Sequence, residues 1–260
     1  MIKKVAAILL ILTMVFTLTG CDVSNIFSYW DGMTKSQAKE YICQELEEKY
    51  GEEFEVVSMG IRSGQYYKEI VGTCSPKSDE TIAFDFEVNH FSENRQMRDN
   101  YIQNVVRKHL KQNIDRVLST HYDNFASEVY VTPQISFYDS GIRSASEATI
   151  KAFSESFKQA DDEKDYRTSV WIVLSNKESD DDIDKLKNII EEMTLEFYYM
   201  KIYINCFFSD QETIDLCNEK ANEITTNHFE VMNITARGDF KKERFLYQGD
   251  KRELVYITLN

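Results

Sequence analysis

The chain has 260 residues, of which 42% are hydrophobic and 13% aromatic, with only 9 Gly and 2 Pro. That is enough apolar material for the core of one large domain or two small ones, which argues against disorder, and the shortage of glycine leaves little for phosphate-cradling loops. A formal net charge of −14 argues against nucleic acid as a partner, since binding phosphates requires basic residues that release counterions, and against lying flat on an anionic lipid surface.

The first 21 residues carry an address. Lys3 and Lys4 precede an apolar run from Val5 to Leu18, shorter than the roughly 20 residues a helix needs to cross a bilayer. Small residues follow it, as at a secretory cleavage site. The sequence Leu18-Thr19-Gly20-Cys21 resembles the lipobox of bacterial lipoproteins. The resemblance implies a diacylglyceryl group on the Cys21 sulfur and cleavage between Gly20 and Cys21. Residues 1–20 would then be the signal peptide and 21–33 a tether carrying Phe27, Tyr29 and Trp30. Two acyl chains matter here, because each buried methylene contributes ~0.8 kcal/mol and one chain alone holds only marginally. The expected location is the extracytoplasmic face of the cell membrane. The plainer alternative is an ordinary signal peptide in which Cys21 is a bystander. Loss of Lys3 and Lys4 would leave 28 basic against 44 acidic residues, a mature charge of −16.

Residues 34–125 read as an α+β unit: a helix, three strands and a helix. The first helix is expected from Thr34 or Ser36 to Tyr50, ended by Gly51, with Ala38, Tyr41, Ile42 and Leu46 as its inner stripe. Phe54 to Gly60 and Gln65 to Thr73 read as strands around a turn at Arg62-Ser63-Gly64. From Thr81 to Val88 strict alternation places Ile82, Phe84, Phe86 and Val88 on one face. A long helix is expected from Met97 to Thr120, with Ile102, Val106, His109, Ile114 and Val117 on one side. The stretch Glu48 to Ser58, with Asp99-Asn100-Tyr101, resembles small Gram-positive lipoproteins of unassigned function. That resemblance implies a membrane-anchored accessory module and names no catalytic residue.

Residues 126–260 alternate strands and helices, as in βαβ crossovers with some parallel pairing; one continuous domain is the alternative to two units. A strand is expected through Val129, Val131, Ile135 and Phe137, then a helix opened by Ser144 or Ser146. The acidic run Asp161 to Asp165 reads as a solvated connection. Val170 to Leu174 lacks alternation, which predicts a strand buried on both faces. Asp180 to Asp184 precede a helix striped by Ile183, Leu186, Ile190, Met193 and Phe197. A strand from Met200 to Phe208 and a helix bearing Ile214, Cys217, Ala221 and Ile224 follow. The chain is expected to end in a β-hairpin turning at Gly249-Asp250.

Residues with chemistry are scattered. Cys43, Cys74, Cys206 and Cys217 would remain beside a lipidated Cys21, an even number in a compartment that permits disulfides. The spacing allows a bridge between Cys206 and Cys217; the alternative it leaves open is buried thiols acting as small hydrophobes. His90, His109, His121 and His228 lack the spacing of zinc ligands, so no metal is expected. Ser36-x-x-Lys39 matches the nucleophile motif of penicillin-recognising enzymes, but no Lys-Thr-Gly strand follows, and capping accounts for Ser36. The Asp180 to Asp184 cluster lacks the glycine and glutamate of a calcium loop. Arg237-Gly238-Asp239 fits a turn.

These readings lead to a membrane-anchored, extracytoplasmic binding or accessory module of the cell envelope, with no catalytic residue and no cofactor. It would touch the membrane through its lipid and work with an envelope protein partner. The alternatives are an envelope hydrolase with dispersed catalytic residues, which requires a pocket of strongly shifted groups, and a small solute-binding lipoprotein of a transporter.

Overall fold

Thr34 and Gln37 start the first described helix by capping each other. The Gln37 N–H donates to Thr34 Oγ1 at 3.3 Å, and the Thr34 N–H donates to Gln37 Oε1 at 2.9 Å. This is a capping box, so Ser36 lies inside the first turn, exposed. Helix α1 then runs Lys35–Tyr50. It stops at Gly51, whose φ of +73° is left-handed and costs glycine nothing. Ala38, Ile42 and Leu46 are fully buried.

The computed structural model describes residues 33–63, 68–89, 96–131, 139–157, 167–175, 182–194, 201–221, 241–248 and 253–257. Gly20 and Cys21, the tether to residue 32, the run 161–165 and the turn at 249–250 lie outside them. The described residues up to Glu45 belong to one compact unit and those from Leu46 onward to a second. The second unit contains two sheets, and the fold class is α+β.

The first sheet is an antiparallel meander of β1 (Phe54–Ser63), β2 (Lys68–Pro76), β3 (Phe84–Asn89) and β4 (Met97–Asp99), in that order. Ser63 pairs with Lys68, so Arg62 and Ser63 are strand, and the connection falls later than the expected turn at 62–64. Phe84, Phe86 and Val88 are fully buried, as their alternation predicts. Gly72 lies under the Phe86 ring, where a Cβ would come within 2.8 Å of it.

Strand β4 stands where the sequence predicts the start of a helix. The Asp85 N–H donates to Asn100 Oδ1 at 2.7 Å and the Asn100 N–H donates to Asp85 O at 3.1 Å. Those two bonds hold the chain against β3 through residue 100, and helix α2 (Tyr101–Ser119) begins only there. Its buried face is Ile102, Val105, Val106, Leu110, Ile114, Val117 and Leu118. His109, expected on that side, is exposed.

The second sheet is mixed, in the order β5 (Phe125–Val131), β6 (Arg167–Ser175), β7 (Lys201–Ser209), β8 (Lys241–Gln248) and β9 (Glu253–Ile257). Between β5 and β6, a short 3-10 turn capped by Ser144 precedes helix α3 (Ile150–Ser156), which Thr149 caps. Strands β6 and β7 pair in parallel across helix α4 (Asp182–Thr194), the crossover that the alternating pattern predicts. Ile172, Val173 and Leu174 are all fully buried in this central position. Helix α5 (Gln211–Ala221) follows β7. β8 and β9 close the sheet as an antiparallel pair.

The two faces of this sheet pack against different helices. Ala126, Val173 and Phe207, aligned across three strands, form one cluster with Ile214 and Cys217 of α5. Ser127, Ile172 and Cys206 are the next aligned row and point to the other face, since neighbouring strand residues alternate. There Ser127 hydrogen-bonds Asp115 of α2. Cys206 and Cys217 therefore lie on opposite sides of the sheet. Both are thiols, and the bridge that their spacing allows does not form. Cys43 and Cys74 are thiols too.

Candidate functional site

The stretches Glu48 to Ser58 and Asp99 to Tyr101 meet in the structure. Tyr50, Phe54, Phe84 and Tyr101 pack as an aromatic cluster; the Tyr50 and Tyr101 ring centroids lie 4.9 Å apart, edge to face, the arrangement that aromatic quadrupoles favour. Their hydroxyls reach acids at its margin. Tyr50 donates to Asp99 Oδ1 at 2.6 Å and Tyr101 to Glu52 Oε1 at 2.5 Å. Burial first, then the neighbouring carboxylate, pushes both phenols far above their ordinary range. They remain protonated donors.

Asp99 is the centre of this network. Its side chain is wholly buried, and it accepts from Lys49 Nζ at 2.7 Å, from Tyr50 and from the Tyr101 N–H at 3.2 Å. A buried carboxylate is tolerable when its lone pairs are filled this way. The Lys49 side chain stays 27% exposed.

Outside this network lies a cleft of about 260 Å³. The last turn of α1 supplies Lys49 and Tyr50, β4 and the residue before it supply Gln96 to Asp99, and the first turn of α2 supplies Ile102 and Gln103. The segment 139–142 closes it with Asp139, Ser140 and Ile142. Asp139 and Arg143 form a two-pronged pair at 2.8 and 3.1 Å. The Arg143 hydrogen bonds hold the Asp139 carboxyl below its ordinary range. The cleft thus combines two cations, Lys49 and Arg98, two anions, Asp99 and Asp139, and the apolar side chains of Met97, Ile102 and Ile142.

The residues singled out from sequence lie elsewhere. His109 Nδ1 is 3.2 Å from Ala148 O, and His121 Nε2 is 3.8 Å from the Glu192 carboxylate; His90 and His228 lie outside the described residues. Among the described residues no group of three or more His, Cys, Asp or Glu could hold a metal ion. Asp184 is exposed and pairs with Lys187 at 3.0 Å, while Asp180, Asp181 and Arg237 to Asp239 lie outside the described part. Lys49 and Asp99 fall within the stretches that carry the resemblance, but the sequence attaches no chemical role to them or to Asp139, because 50 residues separate the first two. The one local sign was Asp99-Asn100 directly ahead of a helix, where such side chains satisfy backbone N–H groups.

No family model and no curated protein matches the chain. Its fold is similar to the crystal structure of a DUF5037 family protein from Ruminococcus gnavus. The TM-score is 0.52 at 14% identity, over 84% of this chain and 94% of that one. At that identity the likeness is one of fold.

Proposed function

We propose that this chain is a lipid-anchored extracytoplasmic lipoprotein that serves the cell envelope as a non-catalytic binding module. The observation that carries the reading is Leu18-Thr19-Gly20-Cys21 placed directly after a charged start and a 14-residue apolar run. In this reading the Cys21 lipid provides the attachment; no described helix is long and apolar enough to cross a membrane. A tether of this kind raises the effective concentration of the domain beside membrane partners.

The cleft favours binding over catalysis. Tyr50, which lines it, is held in its protonated form, a shift that moves a would-be nucleophile away from its reactive state. Intact-mass analysis of the protein from its host tests the anchor: a chain beginning at Cys21 and carrying diacylglyceryl is expected. Cys21→Ala should leave an uncut precursor or release the domain. Crosslinking in the host, followed by capture, should recover one stoichiometric envelope protein. A bare Cys21 in correctly exported material would end the reading.

A further inference from the structure

We draw no further inference here: the strongest candidate, the apolar patch of Val57 and Ile61 on the outer strand β1, carries nothing, because the neighbouring Arg62 is already held by Glu69 and Glu87 and nothing in the structure shows what covers the patch.

Discussion

The Tyr50 hydroxyl donates to Asp99 at 2.6 Å across 49 residues of chain, joining the end of α1 to the end of β4. Lys49, the residue before Tyr50, grips the other oxygen of the same carboxylate at 2.7 Å. Two consecutive helix residues thus hold one buried acid, and that acid also receives the Tyr101 N–H at the start of α2. Three elements meet at Asp99.

Tyr50→Phe removes one donor from this acid and keeps the ring in its aromatic cluster. A hydrogen bond to a charged group contributes about 1.5–3 kcal/mol, so the variant should unfold at lower urea by that amount with an unchanged slope. An unaltered midpoint would show that the bond adds nothing to stability.

Gly72 should not tolerate a side chain. A Cβ there would come within 2.2 Å of the Ser58 carbonyl oxygen and 2.8 Å of the Phe86 ring, and neither a strand backbone nor a fully buried ring can yield cheaply. Gly72→Ala is expected to cost about 1–3 kcal/mol, the usual range for overpacking. Gly60 lies in the adjoining strand with nothing within 4 Å of its would-be Cβ. Gly60→Ala should stay within about 0.5 kcal/mol of wild type. Thermal unfolding of the pair checks both, and equal stability of the two variants would contradict the packing argument.

Cys206 and Cys217 should behave as two separate buried thiols. Neither has exposed surface, and burial, with Glu128 adding to it, raises the Cys217 thiol to about 11. At pH 8 the folded chain should leave both unalkylated by iodoacetamide. Denaturant alone, with no reductant, should open both to modification. A requirement for prior reduction, read by peptide mass, would place a disulfide between them and contradict the opposite-face arrangement.

Where a segment's environment is set by its neighbours in the chain, its structure was legible from the residues. Phe84, Phe86 and Val88 alternate because one face of β3 is buried, and Val170 to Leu174 runs apolar because β6 lies between β5 and β7 with Val173 packed under α5. Gly51 marks the end of α1 for a local reason as well, since only glycine enters the left-handed region without cost. The parallel β6–β7 crossover follows from strand, helix and strand occurring in that order.

β4 was not legible. Three residues are too few to show a period, and what makes Met97–Asp99 a strand is pairing with β3 across eight or more intervening residues. The cysteine geometry was hidden for a similar reason. Spacing places Cys206 on a strand and Cys217 on the helix after it. Which face that helix covers depends on the row Ala126, Val173 and Phe207, contributed by three different strands. The same holds for the cleft: Lys49, Asp99 and Asp139 come from positions 50 and 40 residues apart, and only the packed fold brings their charges to one place.

By itself the sequence determined the alternation of β3, the ends of α1 and the order of strand and helix in the second sheet, because backbone conformation and one-sided burial act over a few neighbouring residues. The tertiary structure decided the existence of β4, the sides on which the two thiols lie and the assembly of a cleft around Asp99. Those depend on hydrogen bonds and packing between segments that share no local pattern.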